Sequence, residues 1–188
     1  MMAGSHLKVL VVALSSVVFA EPSHCVSPPQ PKELAVEGTY VHASRQFPSQ
    51  VGDFRREKVT QYGIDDIGIG YNLESSGRLL AATVYVYPLR SIPFSEELAA
   101  IQEAHSDFEL AFEQDLVLEK GPGQLECRLA GMSYKEWFAR RFGPVSSYLL
   151  VCDDPPWRVK WRFTHPPTND PEIVGVMKAL AASLTVRL

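Results

Sequence analysis

Between Ile67 and Leu89 the chain reads IGIGYNLESSGRLLAATVYVYPL, and its apolar positions recur at every second residue. Ile67, Ile69, Tyr71 and Leu73 share one face, while Ala82, Val84 and Val86 alternate with Thr83, Tyr85 and Tyr87. That period predicts two antiparallel strands, with Glu74-Ser75-Ser76-Gly77 as the turn. Gly68 and Gly70 leave the opposite face of the first strand bare, which lets another piece of backbone or a helix come close. A preceding strand is predicted over Arg55–Tyr62, joined through the turn Gly63-Ile64-Asp65-Asp66.

After Pro88 the period changes. Leu98, Ile101, His105, Phe108 and Phe112 recur at steps of three and four, which predicts one long helix to about Gln114. Ser95 is its expected N-cap, Glu96 and Glu97 complement the dipole of its first turn, and Phe94 staples its start. Gly121-Pro122-Gly123 marks a turn, and strand character returns from Leu125. Gly131–Phe142 and Val145–Cys152 form an expected hairpin about Gly143-Pro144, with a short helix over Lys135–Arg141 as the alternative. Pro155-Pro156 breaks the chain before Trp157–His165, where Trp157, Val159, Trp161 and Phe163 face one way and Arg158, Lys160, Arg162 and Thr164 the other. Asn169 or Asp170 is the expected cap of a final helix, with Pro171 in its first turn and Ile173, Val174, Met177, Leu180, Ala181 and Leu184 on its apolar face.

This order predicts an α+β domain: an antiparallel sheet packed by a long central helix and a C-terminal helix. The phrases Phe47-Pro48 through Gly52-Asp53-Phe54-Arg55, Gly70-Tyr71-Asn72, Val84-Tyr85-Val86-Tyr87-Pro88 and Trp157-Arg158-Val159-Lys160-Trp161-Arg162 resemble a group of uncharacterised exported bacterial proteins. More distantly, the element order over residues 38–186 resembles the PsbP-like, DcrB-type α/β/α sandwich. The resemblance implies accessory, assembly or binding roles in preference to one chemistry.

Composition bounds the rest. With 188 residues, 46% of them hydrophobic, the chain can bury the core of a single domain, expected over residues 38–188. Residues 1–20 carry Lys8, an apolar run from Val9 to Phe19 and small residues at Val18 and Ala20, the pattern of a secretory signal peptide. The run is shorter than the roughly 20 residues of a spanning helix, so no transmembrane span is expected after cleavage. Residues 21–37 are proline-rich and aperiodic, as in a flexible tether. His24 beside Cys25 admits a metal-binding amino terminus or an incidental pair in a tail; Pro22-Ser23-His24 is a poor lipidation box. The formal charge of −4 argues against nucleic acid as a partner.

No GxSxG, GxxxxGK, HExxH or CxxC motif occurs. No cofactor or metal site is therefore expected. The acids and bases available to a hydrolase are Asp65-Asp66, Asp153-Asp154, His105 and His165. Of three cysteines, Cys127 and Cys152 are the candidate disulfide because both lie in strands, although pairing about Gly143-Pro144 sets Cys152 opposite Lys135 and would require a bend between them. The candidate binding site is the cationic face Arg158, Lys160 and Arg162, with Arg140 and Arg141 nearby, able to hold a small anionic ligand or an envelope partner, or else simply neutralised by acids from other elements. The resulting expectation is a periplasmic, non-enzymatic accessory or binding protein of the cell envelope, with a small hydrolase and a structural subunit as competing classes.

Overall fold

A computed structural model describes residues 30–75, 78–105, 107–120, 123–138, 141–168 and 172–185. The hairpin read from alternation is present as β6 (Ile67–Ser75) and β7 (Arg78–Pro88). Its register puts Ile67 opposite Val86, Ile69 opposite Val84, Tyr71 opposite Ala82 and Leu73 opposite Leu80. All eight are buried on one face. Residues 76 and 77 of the expected turn lie outside the described residues.

Around this hairpin the chain builds one antiparallel sheet in the order β1-β5-β6-β7-β11-β10-β9-β8, with β4 added on β5. The flanking strands are β1 (Lys32–Leu34, within the stretch read as a tether), β4 (Gln50–Val51), β5 (Phe54–Gln61), β8 (Glu109–Lys120), β9 (Gly123–Phe138), β10 (Arg141–Asp154) and β11 (Trp157–His165). A separate ribbon, β2 (Tyr40–His42) with β3 (Arg45–Phe47), turns through Ala43 and Ser44, both at positive φ as a two-residue hairpin of this hand requires.

The expected α+β sandwich with a long central helix is not what forms. Of the described residues 61% are in strands and 16% in helices, so the fold is β-rich with two short helices. Helix α1 covers only Phe94–Ala104, and Pro93, not Ser95, stands at its N-cap. Phe108, Phe112, Leu116 and Leu118 fit a period of two as well as steps of three and four, and the contest is settled by the partner. As β8, residues 109–120 bond to the length of β9 from Ser133 to Gly123. Asp107, at φ 60°, turns the chain between the two elements. Gly131 makes room for the Phe112 ring, because a Cβ there would lie 2.3 Å from Phe112 Cε1.

The second hairpin also turns elsewhere than expected. Its bend lies between Phe138 and Arg141, so Gly143 and Pro144 sit inside β10 opposite Glu136 and Lys135. The chain tolerates Pro144 there because the β10–β11 ladder ends at Ser146, so the missing N–H leaves no bond unmade on that side. The four-residue shift brings Cys152 directly opposite Cys127.

Each face of the sheet has its own core. Helix α2 (Ile173–Thr185) packs Ile173, Met177, Leu180, Ala181 and Leu184 against Ile69, Val84, Trp161, Leu150 and their neighbours. The capping residues expected for it lie outside the described residues. On the opposite face Phe94 and Leu98 of α1 cover Ala130, Met132, Leu149 and Val151. Ribbon β2–β3 is tied in by Phe47, fully buried in the larger core, and by Arg45, also fully buried, which donates to Ala43 O at 3.0 Å and to Asp154 at the end of β10.

Candidate functional site

Alternation along β11 sends Arg158, Lys160 and Arg162 to the α1 side of the sheet, as the sequence predicts, and each meets a partner there. Arg158 grips Asp153 with Nε at 2.6 Å and Nη2 at 3.0 Å and also donates to Ile92 O. This two-pronged contact raises the Arg158 pKa above its ordinary value, against the opposing effect of burial. Arg162 Nη2 reaches Tyr134 Oη at 2.6 Å, His105 Nε2 at 2.8 Å and Glu136 at 3.5 Å. The row is thus neutralised by acids from β9, β10 and α1, the plainer of its two sequence readings. Arg140 lies outside the described residues, and Arg141 sits apart on the β9–β10 hairpin.

Lys160 differs from its neighbours. Its ammonium is 2.8 Å from Glu97 Oε2 and lies over the rings of Tyr85 and Tyr87, 4.8 and 5.6 Å from their centroids. Tyr87 Oη donates to the other oxygen of Glu97. Burial alone would raise the Glu97 pKa, but the bonds from Lys160 and Tyr87 hold it below the ordinary carboxylate value. For Tyr87, burial and the bond to an anion push the phenol pKa well up. Lys160, Glu97 and Tyr87 thus form a hydrogen-bonded chain that links α1 to the sheet.

A cleft of about 310 Å³ opens beside that chain, walled by Tyr62, Tyr85, Tyr87, Asp66, Arg90 and Lys160, with Ile92 and Glu97 completing it. Burial raises the Asp66 carboxyl pKa, opposed by Arg90 and Lys160. Gly68 forms the floor: a Cβ there would stand 3.0 Å from Tyr62 and 3.3 Å from Tyr85, so the bare residue is what lets those rings approach to 6.2 Å. The bare face of β6 is filled by side chains, not by backbone or a helix: at Gly68 by the Tyr62 and Tyr85 rings and at Gly70 by the Lys58 stem. The sequence places Tyr85 and Tyr87 on one strand face and Lys160 on the cationic face of β11, but does not bring Asp66, Arg90 and Glu97 beside them. The period-two placement of Tyr85 and Tyr87 beside Gly68 was the available signal.

The acids and bases available to a hydrolase are not gathered. His105 stacks on Tyr134 with ring centroids 4.1 Å apart and faces the Arg162 guanidinium, so burial and that charge lower its pKa. His165 donates from Nδ1 to Pro166 O at 2.7 Å and stacks on Tyr148. Asp153 is engaged by Arg158 and Asp154 by Arg45. Asp65 and Asp66 belong to the turn before β6. Among the described residues no group of three His, Cys, Asp or Glu side chains is placed to hold a metal ion. Cys127 and Cys152 are joined by a disulfide with Cα atoms 4.2 Å apart, buried in the α2-side core.

No known family model matches the chain, and no curated protein is significantly similar to it in sequence.

Proposed function

We propose that this is an exported, non-enzymatic accessory or binding protein of the bacterial cell envelope, and that its tyrosine-walled cleft holds a small anionic ligand. The observation that carries the reading is the placement of Lys160 and Arg90 on a cleft lined by three tyrosine rings. Lys160 keeps a quarter of its side-chain surface exposed although it is bonded to Glu97, and Arg90 is exposed. A carboxylate engages such cations while its apolar or aromatic body lies on the tyrosine faces, the combination of few polar groups on an aromatic wall that small-molecule sites use. At about 310 Å³ the space suits a compact molecule, at the lower end of ligand cavities. Export is supported by the leader-like residues 1–20 and by the buried disulfide, a bond that persists in oxidising compartments.

The test is an NMR titration of the protein with benzoate and octanoate as probes. Shifts confined to Tyr62, Tyr85 and Tyr87, weakened about tenfold in Arg90→Gln by loss of one charge-assisted contact, are the expected result. Arg90 is a surface side chain, so its replacement leaves the fold in place. Equal binding by Arg90→Gln and by Lys160→Gln, or shifts elsewhere, would overturn the reading.

A further inference from the structure

The β9–β10 ribbon carries a second feature unrelated to the cleft. The β8–β9 ladder stops at Ser133 and the β10–β11 ladder at Ser146. The five pairs from Tyr134–Val145 out to Phe138–Arg141 therefore continue the ladder with no third strand beside them, a two-stranded finger of about 17 Å. One face of it lies on the α1-side core, through the buried Tyr134 and Val145 and the partly buried Phe138. Near its outer end Trp137 and Phe142 face each other across the ladder, rings 5.8 Å apart, and are 72% and 57% exposed. Among the described residues no other large ring is as open: Tyr62 and Phe112 are 38% and 37% exposed, while Trp161, Tyr71, Phe47 and Phe163 are at most 1% exposed.

We infer that this finger is an interfacial anchor that inserts its aromatic pair into the headgroup region of a lipid bilayer. Trp is suited to that depth because its ring is largely apolar and its N–H finds a partner among headgroups. Arg141, the residue before Phe142, is exposed and has no acidic partner among the described residues. It can bond a lipid phosphate while the rings enter. Lys135, by contrast, is occupied by Asp107 at 3.0 Å. Two rings on a narrow ribbon fall well short of the ~800 Å² per partner that a stable protein interface buries, whereas interfacial insertion needs only a few exposed apolar side chains. The acidic balance of the chain opposes flat adsorption on an anionic membrane, so contact is led by the finger.

Flotation of the full chain with phosphatidylethanolamine–phosphatidylglycerol vesicles tests the assignment, with wild type expected to float. Trp137→Ala/Phe142→Ala is expected to float at least about tenfold less, since each buried ring contributes roughly that factor. Phe112→Ala, which removes a partly exposed ring on β8, is the control and should float like wild type. Bilayers of brominated lipid should quench emission in wild type but not in the double variant. Wild type that stays in the soluble fraction, or a double variant with the same thermal midpoint that floats equally well, would overturn the inference. So would a concentration-dependent dimer that the double substitution abolishes without any flotation of wild type, which would make a second copy the occupant.

Discussion

Replacing Arg45 probes how the β2–β3 ribbon is fastened to the sheet. Arg45 is fully buried, donates to Ala43 O at 3.0 Å and is paired with Asp154, itself 9% exposed. Arg45→Met keeps most of the side-chain volume but removes the cation paired with the Asp154 carboxylate. Breaking a buried pair in this way costs about 3–5 kcal/mol, because the remaining charge is left desolvated. Asp154→Asn keeps an oxygen acceptor for the guanidinium and removes only the opposing charge, so it should cost less than Arg45→Met. The double variant Arg45→Met/Asp154→Asn removes both charges, so its loss should be smaller than the sum of the single losses by at least about 1 kcal/mol. Urea unfolding followed by tryptophan emission gives the free energies, and hydrogen exchange across Tyr40–Phe47 shows whether the ribbon releases before the sheet. An Arg45→Met loss below about 1 kcal/mol, with unchanged exchange in the ribbon, would refute the reasoning. Strict additivity of the two single losses would refute it as well.

Two further expectations follow from the same framework. Reduction or Cys127→Ala/Cys152→Ala opens a crosslink between residues 25 apart in sequence, which on loop-closure entropy should lower stability by about 3 kcal/mol; a change within experimental error by urea titration would contradict it. His42, His105 and His165 all have pKa values lowered chiefly by burial, with Arg162 adding to the effect at His105 and the Asp65 carbonyl opposing it at His42. The folded state thus binds their protons more weakly than the unfolded chain. Their stabilising contribution is full above the ordinary histidine value of about 6.5 and is lost as pH falls through the lowered values, so the thermal midpoint should drop between about pH 7.5 and 5.5. Asp66, whose pKa is raised, acts in the opposite direction, but nearer the carboxylate range. A midpoint that rises on acidification across that window would contradict the assignment.

What could be read from the chain divides along physical lines. The strands at Ile67–Ser75, Arg78–Pro88 and Trp157–His165 alternate cleanly because one face of each is core and the other faces helix α1 or polar partners. The apolar face of α2 was equally legible. Residues 105–114 were not, since Phe108 and Phe112 satisfy both periods and only the unpaired length of β9 decides between them. Gly143-Pro144 attracted the expected turn because those residue types favour one. The bend instead falls nearer the tip, where β10 has a single neighbour and Pro144 is harmless. That shift is also why the cysteine pair could not be aligned from sequence.

The candidate site shows the same division. Pattern alone placed Arg158, Lys160 and Arg162 on one face but could not supply the acids that neutralise them. Glu97 is 63 residues from Lys160, and Glu136 is 26 from Arg162. Only the packing of α1 and the β9–β10–β11 register brings them together. Arg90 and Asp66 are likewise a loop residue and a turn residue whose charges acquire meaning beside Tyr85 and Tyr87.

The most direct test of the proposed binding role is native mass spectrometry of the protein isolated gently from its own host, beside the Arg90→Gln/Lys160→Gln variant. Wild type is expected to carry a bound small acid that the variant lacks, and under the proposed export its mass is that left by cleavage after Ala20. A wild type that carries no adduct under conditions preserving weak complexes, or an adduct retained in full by the variant, would contradict the assignment of the tyrosine cleft.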